Sequence, residues 1–246
     1  MTENGTASQQ VPGWYVEFQL AVLRALPRDI SQEIADGWRE NGKALAKAFR
    51  EVLFPLSDVP EDHRTILSDW QNFYQQLFGK EYDFSGVRIP EKPSDGRWRL
   101  LIIIDLSLEQ LYAKCKELFP CLRWTDENLD KIVIRNERDA KNGAYAIWVR
   151  DEVEADEDLK GLSANDIEAK KITSETLVER LTHELKFFDE TGKHLDVKNI
   201  TLCAGSRYSV GSIPHVYFNP DHGRVDVYWS HPDYRYVFLR VRQVVS

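Results

Sequence analysis

The sequence predicts an α+β fold, on three observations. Apolar residues recur at helical spacing through most of residues 14–78 and again around 108–118 and 177–188, whereas "RWRLLIIID" and "NGAYAIWVRDEV" read as strands. After Asn199 the periodicity changes to short alternating runs separated by Gly211, Pro214, Pro220, Gly223 and Pro232. Helices thus gather early and strands late, which favours segregated layers over a regular alternation of strand and helix. We divide the chain into a polar lead-in at 1–12, a mainly helical region with a small α/β layer at 13–138, and a strand-rich domain at 139–246.

In chain order, Phe18, Val22 and Leu26, then Ile34, Trp38, Leu45, Phe49 and Leu53, predict two helices split at Pro27, because proline lacks the backbone donor and clashes with the preceding turn. "RTILSDWQNFYQQLFG" predicts a third, with Leu67, Trp70, Phe73, Tyr74 and Leu77 on its core side and Gly79 as its stop. A loop bearing Pro90, Pro93 and Gly96 leads into the first strand. Ser107 and Gln110 then form a capping box for a helix whose packed face is Leu108, Leu111, Cys115 and Leu118. Asn142 and Gly143 make a turn before the second strand. The acidic run "DEVEADEDL" reads as a solvated face or helix start. "TSETLVERLTHELKFFDETG" predicts the best-marked helix, capped by Thr173 or Ser174, lined by Leu177, Leu181, Leu185 and Phe188, and ended by Gly192. His183 on it is expected at the surface or its boundary. In the tail "ITLCAGSRYS", "HVYFN", "RVDVYWS" and "FLRVRQVV" predict four strands.

Composition removes several function classes. The net charge of −8 disfavours a general nucleic-acid binder, since phosphate contacts need a basic surface. "LLIIID" is far too short to cross a bilayer, and the N-terminus has no basic start or apolar centre of a secretory signal, so a cytoplasmic chain without membrane insertion is expected. Cys115, Cys121 and Cys203 lack metal-like pairing and read as reduced, buried thiols. No motif calls for a cofactor.

The charge is unevenly placed. Residues 1–198 carry 27 Lys and Arg against 37 Asp and Glu, and residues 199–246 carry 5 Arg against 3 Asp, with no Lys and no Glu. At the upstream frequency the tail should hold about eight Lys and Glu. Solvent faces of ordinary strands use both for solubility, so β propensity explains only part of the bias. What replaces them is Tyr, His, Asp, Ser, Asn and Arg, the rigid rings and adaptable hydrogen-bonding groups of binding surfaces built for many targets. In "RVDVYWS" alternation assigns Val225, Val227 and Trp229 to the core and Arg224, Asp226, Tyr228 and Ser230 to the other face.

"TLCAGSRYS", "VYFNPDHGRVDVYW" and the closing "LRVRQVV" resemble the variable region of diversity-generating retroelement proteins, and "ERLTHELKFFDETGKHLDVKN" is similar to the helix and lead-in before it. The likeness covers roughly residues 140–246. It implies a C-type-lectin-like C-terminal domain of short antiparallel strands with a long helix, on the branch shared with formylglycine-generating enzymes, and a variable stretch at about 204–242. In such proteins a template repeat is copied with errors at adenines, so asparagine codons yield Tyr, His, Asp, Ser, Arg, Phe or Val and never Lys, Glu, Gln, Met or Trp. Gln243 lies near the end, and a templated tryptophan codon, having no adenine, would leave Trp229 unchanged.

The resemblance implies a binding protein, not an enzyme, whose macromolecular ligand is expected to be a protein. The expected contacts are Tyr208, Val210 and Ser212 near the first tail strand; His215, Tyr217 and Asn219 on the second; Asp221 and His222 in the turn; Arg224, Asp226, Tyr228 and Ser230 on the third; and His231, Asp233, Tyr234, Arg235 and Tyr236 beyond it. Val225, Val227, Trp229, Leu239 and Val241 would hold the scaffold. There is no calcium-lectin Glu-Pro-Asn motif, and the paired cysteines of the catalytic branch are missing, Cys203 standing alone. Two other readings stay open. His215, His222, His231, Asp221, Asp226 and Asp233 have the side chains of a metal-dependent hydrolase, at spacings that match no ligand pattern. A purely structural subunit would bury the tail in an interface. The aromatic faces around Trp14, Trp38 and Trp70 are candidates for homo-oligomer assembly.

Overall fold

Proline breaks the first helical run where expected: α1 (Gly13–Ala25) stops before Pro27, and α2 (Gln32–Glu40) begins after Ser31, whose Oγ accepts the Ile34 N–H at 3.3 Å. The computed structural model describes residues 13–27, 29–42, 45, 49, 63–84 and 86–246; the lead-in at 1–12 and Leu53 lie outside them. Several apolar side chains on and beside these two helices are exposed, Leu23 at 62% and Ile34 at 54%, with Phe18, Leu26 and Trp38.

Contacts divide the chain at Val59/Pro60, and the boundary placed at 138/139 falls inside the second unit. Three strand pairs cross it. β1 (Trp98–Ile103) runs antiparallel to β4 (Tyr145–Arg150), β2 (Cys121–Arg123) parallel to β8 (Arg224–Ser230), and β3 (Val133–Asn136) antiparallel to β6 (Ser206–Tyr208). One core containing Trp70, Leu101, Ile147, Leu181 and Val227 spans both sides. Asn142 and Gly143 turn the chain between two strands of the same unit.

The outer edge of β1 is closed by a helix. On α3 (His63–Phe78) the Trp70 indole N–H donates to the Leu100 carbonyl (3.2 Å) and the Tyr74 hydroxyl to the Ile102 carbonyl (2.6 Å). Four helical residues rise about 6 Å and two strand residues about 6.6 Å, so an i, i+4 pair on a helix can reach the i, i+2 carbonyls that point away from a strand's partner. Trp70, Phe73 and Tyr74 are thereby core residues, and Trp70 is no free assembly face.

α4 (Leu108–Leu118) has the expected capping box, with Ser107 Oγ accepting the Gln110 N–H at 3.1 Å and Gln110 Oε1 accepting the Ser107 N–H at 3.0 Å. Its buried face is Leu108, Leu111, Tyr112 and Cys115; Leu118, expected there, is exposed. The helix ends at Leu118, and extended Phe119 swings inward to meet Phe188 edge-on at 4.7 Å. A single turn, α5 (Leu129–Ile132), leads into β3.

The acidic run does not form a uniformly solvated face. It contains a single 3₁₀ turn at Glu157–Leu159, Asp156 is buried, and the Glu154 carboxylate accepts the Lys198 N–H and the Asn199 side-chain amide. α6 (Ala164–Ala169) follows, capped by Ser163.

α7 (Leu177–Thr191) ends at Gly192, whose φ of +66° is the left-handed conformation that favours glycine. Its N-cap is Thr176, later than Thr173 or Ser174, because Glu179 completes a capping box with Thr176. Leu177, Leu181 and Leu185 are fully buried, each stabilising by roughly 1.5–3 kcal/mol, and the opposite, charged side of the helix is buried as well.

"ITLCAGSRYS" is two strands. β5 (Ile200–Leu202) belongs to a five-stranded sheet ordered β2-β8-β7-β5-β9, with β7 at Ile213–Asn219 and β9 at Leu239–Arg240, whereas β6 pairs with β3. β9 is shorter than "FLRVRQVV" implies, and the rest of that stretch makes isolated bridges from Gln243 to Ser174 and from Val245 to Trp148. Between β5 and β6 sits Gly205, where an added Cβ would lie 2.8 Å from the Ser174 carbonyl and 3.0 Å from Thr176 Cγ2. Gly205→Ala is therefore expected to destabilise by about 1–3 kcal/mol, read from the midpoint of chemical denaturation; an unchanged midpoint would contradict this packing.

Candidate functional site

The antiparallel register of β7 and β8 aligns the residues of the candidate surface. His215 lies opposite Tyr228, Tyr217 opposite Asp226 and Asn219 opposite Arg224, all on one face, while Val216 and Val227 face the core. Val225, Val227, Leu239 and Val241 are buried as scaffold residues. Trp229, assigned to the core by alternation, is 42% exposed. β2 covers β8 only as far as Val227, so Trp229 continues past the covered part and rests edge-on near Trp124, ring centroids 6.4 Å apart.

The outward face is partly closed. Asp226 is buried because it accepts from Arg224 Nε at 2.7 Å and from Asn219 Nδ2 at 2.9 Å. His215 and Ser230 are buried too, joined through His215 Nδ1 and Ser230 Oγ at 2.9 Å, with the imidazole centroid 6.1 Å from the Tyr217 ring and 6.0 Å from the Tyr228 ring. Burial lowers the His215 pKa to about 4 against the opposing pull of Asp226, so the ring is neutral at pH 7. Tyr208 and Ser212 are also interior; the Tyr208 ring meets Trp124 at 5.6 Å, and burial pushes its phenol up to about 12. These five residues, expected as contacts, lack the solvent access that contact needs. Alternation tells which way a side chain points and says nothing of what lies over it.

The remaining expected contacts are partly or well exposed. Val210 is 80% exposed at the tip of the turn between β6 and β7; Asp221 and His222 project from the β7–β8 turn, His222 Nδ1 lying 3.3 Å from Asn219 Oδ1; and Tyr228 is open to solvent. After β8, residues 231–238 form an aromatic segment pinned to α6. Arg235 donates twice to Asp166, at 2.7 and 2.6 Å, and holds that carboxyl below the usual range; the Asn165 N–H donates to the Pro232 carbonyl at 3.2 Å, and the Asn165 amide to Asp233. Tyr234, Tyr236 and Phe238 keep about half their surface in water, with successive ring centroids 6.2 and 5.4 Å apart.

The His and Asp residues weighed as a hydrolase centre are not brought together: His215 bonds Ser230, Asp226 pairs with Arg224, and His231 lies beside Asp233. Among the described residues no group of three or more His, Cys, Asp or Glu is arranged to hold a metal ion, and none of their helices is long and apolar enough to cross a membrane. A cavity of about 820 Å³ opens elsewhere, lined by Arg88, Glu91, Glu137, Arg138 and Tyr145 among others, and includes none of the expected contacts.

Beneath the sheet lies a charged cluster that sequence reasoning missed. Arg180 donates to Asp196 (3.0 and 2.8 Å) and to Glu184 (2.8 Å), and Arg242 donates to the other Asp196 oxygen (2.7 Å). Each of these side chains is fully buried. His183 is not at the surface: it is buried with Nδ1 2.9 Å from Glu175 Oε1, and burial holds its pKa well below the ordinary value. Glu175 Oε2 has no hydrogen-bond partner among the described residues, and burial raises this carboxyl to about 8 despite Arg242 and Arg180. The apolar side of α7 was legible in the sequence; its Thr176 cap and the burial of its polar side were not. Cys115 and Cys203 are free and buried, with their thiols pushed up by burial, while Cys121 is partly exposed.

No family model, curated protein or solved structure matches this chain.

Proposed function

We propose that the chain is a ligand-binding variable protein: a rigid, lectin-like C-terminal scaffold that presents a surface diversified by a retroelement to a macromolecular ligand, expected to be a protein. The observation that carries this reading is the alphabet of residues 199–246, which lack Lys and Glu and place Tyr228 on β8, and Tyr234 and Tyr236 in the segment after it, in solvent above buried ion pairs. Exposed tyrosines on a held backbone supply contact area at low entropic cost. Aromatic anchoring and hydrogen bonding are the roles assigned to them, with no bond-making step and no cofactor.

The test is to sequence the DNA beside the gene. A near-repeat of codons 204–242 that differs only at adenines, next to a reverse-transcriptase gene, is the expected result. The differences should concentrate at exposed positions such as Val210, Asp221, Tyr234 and Tyr236, and spare Val225 and Val227. If no repeat exists, the missing Lys and Glu lose their genetic cause and the reading fails. Self-association through α1 and α2 belongs to the same proposal, motivated by exposed Leu20, Leu23, Ile34 and Trp38, and a monomeric mass in light scattering would count against it.

A further inference from the structure

We infer that α1 is the contact between two copies of this chain, packed antiparallel about a two-fold axis near Leu20 with Glu17 of each copy against the partner's Arg24, an assignment that rests on the self-association proposed for α1 and α2. Val16, Leu20 and Leu23 follow the four-and-three spacing that keeps side chains within about 60° of one another around a helix. All three are exposed, at 45%, 47% and 62%. Such a seam is the side that a helix buries against another helix. Glu17 and Arg24 border it: seven residues apart, they drift by only about 20° around the axis and form a stripe beside the seam. Neither charge has a hydrogen bond or ion pair among the described residues.

The order of these residues identifies the occupant. Turned end for end about Leu20, a second α1 brings Leu20 to Leu20, Leu23 to Val16 and Arg24 to Glu17, each to within a helical rise of about 1.5 Å. One rotation thus matches the apolar seam and the charges together, as an isologous interface requires. A parallel pair in register instead sets Glu17 level with Glu17 and Arg24 level with Arg24, like charges at the same height. An unrelated helix would have to carry the same two charges in reverse order, which this chain already supplies. A membrane surface is matched less well, because interfacial helices carry a basic polar face and this stripe sums to zero charge. The 13 residues of α1 span about 20 Å, so the contact lies at the small end of stable interfaces and association is expected at micromolar concentration.

The experiment is sedimentation equilibrium of the full chain across a range of concentrations, with charge-reversal and seam variants. The expected result is a dimer whose dissociation constant rises about tenfold in E17R and in R24E, since both symmetric pairs turn from attraction to repulsion. In E17R/R24E the pairs re-form in the opposite sense, and the constant should return to within about threefold of wild type. An equimolar mixture of E17R and R24E should associate more tightly than either variant alone. L20D/L23D should be monomeric, whereas F18D/V22D, on the far side of α1, should dimerise as wild type does. A dimer indifferent to every charge reversal, or one lost in F18D/V22D and kept in L20D/L23D, would overturn the antiparallel pairing and leave self-association standing. A monomer at every concentration would overturn both, and its capture by phosphatidylcholine vesicles would give the seam to a membrane surface instead.

Discussion

Asp196→Ala should destabilise the chain by about 3–5 kcal/mol, the largest effect expected of any single substitution considered. Asp196 is fully buried and bridges two fully buried guanidinium groups, accepting from Arg180 on one carboxylate oxygen and from Arg242 on the other. Thr201 Oγ1 adds a hydrogen bond to it at 2.5 Å. Its removal leaves two arginines inside with Glu184, the Thr201 hydroxyl and backbone carbonyls as their remaining hydrogen-bond partners, and an under-compensated buried charge costs far more than the net worth of an intact pair. Arg242 reaches the cluster from the C-terminal segment and Arg180 from α7, so the loss should fall on the union of helix and sheet. The control is Arg235→Ala, which breaks an exposed, solvent-screened bidentate pair and should cost far less. Urea denaturation of both variants decides the matter. Equal losses would mean that burial of the Asp196 cluster does not govern its energetics.

Glu175 should make the folded state less stable as pH rises. Its ordinary value is 4.5 and burial raises it to about 8 in the fold, so the folded chain retains a proton that the unfolded chain releases. A group raised in this way contributes stability that is complete below about 4.5 and lost as pH climbs toward about 8. His183 works in the opposite sense. Held neutral in the fold, it costs stability below its ordinary value of 6.5 and nothing above it. Asp156, raised to about 6, loses its contribution at lower pH as well. Between pH 6.5 and 8 the Glu175 contribution therefore stands apart, and wild-type stability should fall there by roughly 2 kcal/mol, at about 1.4 kcal/mol per pH unit. Glu175→Gln keeps the shape of the protonated side chain and should flatten that slope, leaving the variant more stable than wild type at pH 8. Parallel stability curves for the two proteins across this range would sink the argument.

Local signals were legible where one residue's chemistry acts on its neighbours. Pro27, the Ser107–Gln110 box and Gly192 mark helix ends because capping and breaking are decided within one turn of chain. The same logic placed β8 and its buried Val225 and Val227. It failed at Trp229, Asp226, His215 and Ser230, since alternation fixes direction while exposure depends on which strand or side chain arrives from elsewhere. It failed on α7 for the same reason: apolar spacing identified Leu177, Leu181 and Leu185, but Arg180, His183 and Glu184 carry no sign in the sequence that Asp196, Arg242 and Glu175 will enclose them.

By itself the sequence determined that helices and strands both form, where most of them start and stop, and that the last 48 residues are built without Lys or Glu. Only the tertiary structure decided that residues 60–138 share one unit with the tail, through β1–β4, β2–β8 and β3–β6, and which tail residues face water. The division is physical. Propensity, capping and breaking arise from atoms a few residues apart, whereas burial and the pairing of charges are properties of distant segments that meet only once the chain has folded.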